Sequence, residues 1–150
     1  MYSLIDLNDI NEQLEPLKTL ADREIASIAG LYGPVYTPHI DTYMQVSIKK
    51  ALILSDLKTQ AILPISNVEN VHSALNTLHK RTKSLDVVEY EGKKYQRKFT
   101  PLKLSKSGKM VQRWAKFWLL QQADGIADHS WEQQVREIWP EYFLIRRIDI

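Results

Sequence analysis

The sequence predicts an α+β, mainly α-helical fold, on three observations. Apolar residues recur at helical spacing over long stretches, as at Ile10, Leu14, Leu17, Ala21, Ile25 and Ile28. One segment, VVEYEGKKYQRKF at residues 87 to 99, instead alternates apolar and polar residues around Gly92, as a β-hairpin does. The chain has 150 residues, 44% of them hydrophobic and 25% charged, with four Trp and seven Tyr, which suits one packed domain and argues against disorder.

The first helix covers residues 8 to 29, with Asp6 or Asn8 as its cap and Gly30 as its stop. Pro16 inside it implies either a kink or a second helix starting there. GLYGPVYTPHI, residues 30 to 40, holds two Gly and two Pro and reads as a loop. The next helix starts after Thr37 or Asp41, runs to about Leu54 and buries Ile40, Tyr43, Met44, Ile48, Ala51 and Leu52. Ser55 or Asp56 caps a short helix ended by Pro64; a rival reading is one helix from 41 to 62. Ser66 or Asn67 caps the helix that follows, whose apolar positions Val68, Val71, Leu75 and Leu78 form a single stripe.

Beyond the hairpin, Pro101 limits further strand pairing. A fifth helix, from Lys106 or Ser107 to Gln122, is aromatic on one face through Met110, Trp114, Phe117, Trp118 and Gln121. A sixth, capped by Ser130, carries Trp131, Val135 and Ile138 up to Pro140, and YFLIRRIDI reads as a strand. The organisation is one domain: an N-terminal helical extension at 1–39, a central module at 40–104 and Trp-rich helices at 105–150.

Composition removes several chemistries. Without cysteine there are no disulfides, thiolate zinc sites or cysteine nucleophiles. The N-terminus MYSLIDLNDINEQLEP has neither a basic nor an apolar signal region, and the longest apolar run, ALIL, is far short of a membrane span. The expectation is a cytoplasmic protein with no membrane partner. Net charge is only +2, yet residues 80 to 116 hold twelve Lys or Arg against Asp86, Glu89 and Glu91, an excess of nine, while the remainder carries an excess of seven acids. The plain reading of the block is a solvated surface; the functional one is a positive face for a polyanion.

The order from 40 to 104, helix, short helix, turn, polar-faced helix and basic hairpin, resembles the winged-helix variant of the helix-turn-helix DNA-binding domain. Its turn, Pro64-Ile65-Ser66-Asn67, has no Gly, where that turn often contains one. The resemblance implies that Asn70, Ser73, Asn76, Thr77, Lys80 and Arg81 face a DNA groove, where Asn suits adenine edges and Lys or Arg reaches guanine or phosphate. Lys93, Lys94, Arg97 and Lys98 on the wing would then contact phosphates. Tyr90, Tyr95 and Phe99 either pack beneath the wing or stack on unpaired bases.

Other patterns are weaker. Glu91-x-Lys93 with Asp86 or Glu89 matches the acidic-x-lysine element of metal-dependent nucleases, but Gly92 places it at a hairpin tip. SKSGKM at 105 to 110 lacks the upstream Gly and the following Ser or Thr of a phosphate loop, and reads as a basic helix start. The four histidines lack metal-ligand spacing. Trp114, Phe117, Trp118, Trp131 and Trp139 read first as core and second as a homodimer surface on the C-terminal helices. The sequence thus predicts a nucleic-acid-binding protein, duplex DNA favoured, acting as a regulator or mobile-element accessory without catalytic residues or cofactor. The alternative is an interaction or inhibitor module whose basic hairpin docks an acidic protein, with a metal-dependent nuclease third.

Overall fold

The computed structural model describes residues 1–31 and 35–145. Among them the fold is α+β and mainly helical, with four α-helices, a three-stranded antiparallel sheet and one short 3-10 helix. Where one domain is expected, the chain forms two compact units, Met1–Pro64 and Ile65–Ile145. The stretch from 40 to 104 is therefore divided between them.

The first unit is a helical hairpin of α1 (Leu4–Ile28) and α2 (Pro38–Thr59). The cap of α1 is Ser3, whose hydroxyl accepts from the Asp6 N–H at 3.4 Å while its own N–H donates to the Asp6 carboxylate at 2.8 Å. Pro16 is accommodated inside one continuous helix. Ile10, Ile53 and Leu57 form the core, joined by Tyr2, Leu7, Val46 and Leu63. Both ends of the hairpin are tied by side chains. At one, the Glu24 carboxylate accepts from the His39 and Ile40 N–H groups at 3.2 and 3.1 Å, satisfying open donors of α2. At the other, Asp56 accepts from the Tyr2 N–H at 2.7 Å and Gln60 donates to the Tyr2 carbonyl at 3.0 Å.

The short helix expected after Ser55 does not exist separately. Ile53 and Leu57 continue one buried face at helical spacing, and no breaker precedes Pro64, so α2 runs on to Thr59. This leaves no bracing helix in front of the polar-faced one, the feature on which the winged-helix resemblance leaned.

The second unit begins with α3 (Asn67–Leu78), continues through β1 (Val87–Tyr90), β2 (Lys93–Leu104) and β3 (Val111–Leu120), and ends with α4 (His129–Ile138) and a 3-10 helix (Pro140–Phe143). The strand order is β1-β2-β3. Tyr90 and Lys93 are partnered across Glu91 and Gly92, both at positive φ (49° and 79°), the geometry of a tight two-residue hairpin turn. The core joins Val68, Val71 and Leu75 of α3 to Tyr95, Phe117, Trp118 and Leu119 of the sheet and Trp131 and Val135 of α4.

The expected fifth helix is strand β3, antiparallel to β2 from Tyr95 opposite Leu120 to Leu104 opposite Val111. Phe117, Trp118 and Leu119 are all buried, so both faces of the sheet are covered here. Two-faced burial abolishes the apolar–polar alternation of a strand and leaves an aromatic run that also fits helical spacing. Pairing continues past Pro101, which lies opposite Trp114, with register shifts between Pro101 and Leu104. Arg97 directs its N–H and C=O to the β1 side, where they meet Asp86 and Leu85 at 2.9 and 2.8 Å. By strand alternation the Pro101 nitrogen points to that side too, where β1 has already ended and no donor is required.

The burial of Phe117, Trp118 and Trp131 places these residues in the core and takes them out of any dimer surface. Residues 146 to 150 of the expected C-terminal strand lie outside the described residues, while Pro140–Phe143 is 3-10 helix. The cap of α4 is Asp128 and not Ser130; its carboxylate accepts from the Trp131 N–H at 2.9 Å.

The capping box of α3 is reciprocal: the Ser66 N–H donates to Glu69 at 2.9 Å and the Ser66 hydroxyl accepts from the Glu69 N–H at 3.3 Å. Ser66→Ala is expected to destabilise the second unit by about 1 kcal/mol, read as a lower urea midpoint, with no change in secondary-structure content below the transition.

Candidate nucleic-acid interface

The root of the candidate surface is fixed at the outer edge of β3. Because Arg97 turns its backbone groups toward β1, its partner Trp118 turns its N–H and C=O away from β2, to the open edge of the sheet. Side chains from both helices close that edge. His72 of α3 accepts the Trp118 N–H on Nε2 at 3.1 Å, and Trp131 of α4 donates its indole N–H to the Trp118 carbonyl at 2.8 Å. The Asp128 N–H covers the Leu120 carbonyl at 2.8 Å.

His72 is buried and its Nδ1 lies 2.7 Å from the Val68 carbonyl, so Nδ1 carries the proton and Nε2 is free to accept. Protonating Nε2 would turn it against the Trp118 N–H. Burial, first, holds the imidazole pKa down at about 4; the Arg97 charge also lowers it, against the raising effects of the Val68 bond and Glu69.

One residue expected at the DNA surface, Arg97, belongs to this interior, and a second, Asn76, is exposed on α3 but turns its side-chain oxygen to it. Arg97 is buried at 5% exposure, with its guanidinium carbon 4.6 Å from the Trp118 ring centroid. Its Nη1 donates to Asn76 Oδ1 at 3.0 Å, and the Trp118 indole N–H donates to the same oxygen at 3.0 Å. Arg97 Nε is buried with no hydrogen-bond partner among the described residues. The Asn76 oxygen is therefore the acceptor that holds a buried cation and an indole together; Arg97 is enclosed, while Asn76 itself stays exposed on the surface of α3.

Of the remaining expected residues, Asn70, Ser73 and Thr77 are exposed on α3, with the Thr77 hydroxyl turned back to the Ser73 carbonyl at 3.1 Å. Lys80 and Arg81 are exposed just beyond that helix. Lys93 and Lys94 are exposed on the β1–β2 hairpin, but Lys94 is paired in register with Glu89, and Glu91 occupies the turn. All three acids of the basic block, Asp86, Glu89 and Glu91, lie on this side of the sheet. The expected wing is thus close to neutral. Lys98 is half-buried opposite Phe117.

The charge excess sits on the other hairpin. Residues 98 to 116 contain Lys98, Lys103, Lys106, Lys109, Arg113 and Lys116 and no Asp or Glu. None of residues 101 to 114 is buried, so β2 and β3 extend past the core as a two-stranded arm. Its end is held by the Ser105 N–H donating to the Met110 carbonyl at 2.8 Å and the Gly108 N–H to the Ser105 carbonyl at 2.9 Å, with Gly108 at φ 73°. SKSGKM is thus a hairpin loop and not a helix start.

A ladder of rings and cations runs from core to arm along one face. Arg97 lies between Trp118 and Phe99, 5.8 Å from the Phe99 centroid; Lys116 Nζ lies 5.1 Å over the same ring; and Trp114 lies 6.3 Å beyond it. Trp114 is 46% exposed. Reading the segment as a helix hid Trp114 and the arm cations; the signal that would have found them is Gly108 between two basic, alternating segments.

Among the described residues no group of three or more His, Asp or Glu is placed to hold a metal, and no helix is long and apolar enough to cross a membrane. No protein-family model, curated protein or solved structure matches the chain.

Two outcomes follow from the interior network. Asn76→Ala is expected to destabilise the second unit by about 1–3 kcal/mol, since it leaves the Arg97 and Trp118 donors without their acceptor; chemical unfolding measures this. His72 titrates near 6.5 in the unfolded chain and about 4 in the folded one, so between these values the unfolded state binds more protons. Its contribution is present above pH 6.5 and is lost as the pH falls towards 4, by up to ~3 kcal/mol. Urea midpoints across that range are expected to fall in the wild type and to fall less in His72→Gln.

Proposed function

We propose that this protein binds nucleic acid and that the β2–β3 arm is its contact surface. The observation that carries the reading is the segregation of charge within one sheet: six cations and no acid on residues 98 to 116, with every acid of the basic block on the β1 side. An acid-free ribbon presents positive charge along a line, which matches a phosphate backbone, and each neutralised phosphate releases condensed counterions. The arm replaces the β1–β2 wing in this role, and α3 keeps Asn70, Ser73, Asn76 and Thr77 as exposed polar residues, with the Asn76 oxygen engaged by Arg97 and Trp118.

The test is fluorescence anisotropy of labelled nucleic acid at a series of salt concentrations, with polyglutamate as an acidic competitor. Changing Lys106 and Lys109 together to Gln is expected to flatten the slope of log affinity against log salt by roughly 1.4 to 1.8, at about 0.7 to 0.9 per lost phosphate contact. Changing Lys93 and Lys94 together to Gln is expected to have a smaller effect, because Glu89 and Glu91 already offset them. Absence of binding at low salt overturns the reading; polyglutamate competing as well as nucleic acid transfers it to an acidic protein partner.

A further inference from the structure

The arm carries a second feature that charge alone does not explain, its exposed indole. Trp114 shares a strand face with Lys116 and Trp118 by alternation and lies opposite Pro101 and beside Phe99. Two steps towards the core on this face, Trp118 is fully buried and bonded to Asn76. Trp131 is buried too, and Trp139 packs its ring on His72 and Tyr142. Trp114 alone among the four is exposed; Lys116 lies beside it on the same face, over Phe99, while Arg113 and Lys103, paired in register, stand on the opposite face of the ribbon.

We propose that the arm takes single-stranded nucleic acid, with the Trp114 ring as the platform on which an unpaired base stacks and Lys116, on the same face, holding a flanking phosphate, while Lys103 and Arg113 add positive charge from the other face of the ribbon. The proposal rests on the reading of the arm as a nucleic-acid surface and specifies the form that it recognises. An exposed aromatic beside a cation on a positively charged ribbon is what single-strand binders use: every base offers a π-face, and phosphates track the positive ridge beside it. A duplex hides its base faces within the stack. A ribbon that read a duplex would insert its end into a groove or wedge an apolar tip between base steps, which here would assign the work to Met110, 71% exposed in the end loop.

The experiment uses the full chain with an oligothymidylate strand and a mixed-sequence duplex of equal length. The wild type is expected to bind the single strand more tightly and to lose tryptophan fluorescence as it does so. Trp114→Ala is expected to weaken single-strand binding by about 5- to 150-fold, the range that base–aromatic stacking spans, to abolish the quenching and to leave duplex affinity unchanged. Trp114→Phe, which keeps a stacking face, is expected to restore most of the affinity. Because Trp114 lies outside the core, unfolding midpoints of both variants should match the wild type, and a lowered midpoint in Trp114→Ala alone would assign the ring a packing role instead. Duplex preference, or a loss seen with Met110→Ala and not with Trp114→Ala, overturns the single-strand proposal. If the Lys106 and Lys109 changes weaken both forms while Trp114→Ala weakens neither, the arm remains the interface and the stacking proposal alone fails. If the wild type binds neither form, both fail together.

Discussion

The outer edge of β3 at Trp118 is the constraint around which the second unit is organised. A three-stranded sheet has two open edges, and a buried edge with unpaired N–H and C=O groups costs about 1–3 kcal/mol per group. Here the backbone groups of Trp118 are met by one ring nitrogen from α3 and another from α4. Those two bonds fix which face of each helix lies against the sheet, because His72 and Trp131 must each point a particular nitrogen at a particular atom. They also fix the chemistry of His72, which can accept from Trp118 only while it is neutral. The shielded, apolar surroundings that keep it so are the same core that the helices create.

The Arg97 cluster is a second layer built on that arrangement. A buried guanidinium without a carboxylate is expensive, and several kcal/mol of desolvation would stand against it if its surroundings were apolar alone. Trp118 offers its ring face and Asn76 its carbonyl oxygen, and the Trp118 indole N–H satisfies the same oxygen from the other side. This makes the root of the arm a rigid junction of strand, helix and cation. An arm grown from such a base inherits its orientation from packed residues, so under the proposed function its cations would not have to be ordered from a floppy loop on binding.

How much of this was legible depended on whether burial was one-sided. The stripes of α1 and α3 and the alternation of β1 with the start of β2 each reflect one buried face, and these elements stand close to where periodicity puts them. The sheet core at Phe117, Trp118 and Leu119 is buried on two sides, and its period was unreadable; the strand passed for an aromatic helix and took the β2–β3 arm out of view. Of the candidate site residues, the positive block was visible as composition. Its division was not, because whether Lys94 is offset by Glu89 or Arg97 is enclosed by Asn76 depends on cross-strand register and on a contact between residues 21 apart. The short polar residues of α3 carry no mark that separates Asn76, which holds the interior together, from Asn70, which does not.

Charge segregation also explains why a chain of net charge +2 can present a strongly positive element. If the cations were spread evenly, attraction for a polyanion would be weak everywhere and its orientation undefined. Inside the basic block the acids are confined to the β1 side, so residues 98 to 116 carry cations alone among charged side chains. Under the proposed function, this charge contrast within one sheet would align an approaching polyanion before contact, at separations up to about a Debye length of 10 Å in 0.1 M salt. The acids on β1 and its turn, which weaken the case for a wing, are in this light what sharpens the arm. Their neutralising presence on one hairpin is the reason that the ladder from Trp118 to Trp114 leads to a single positive end.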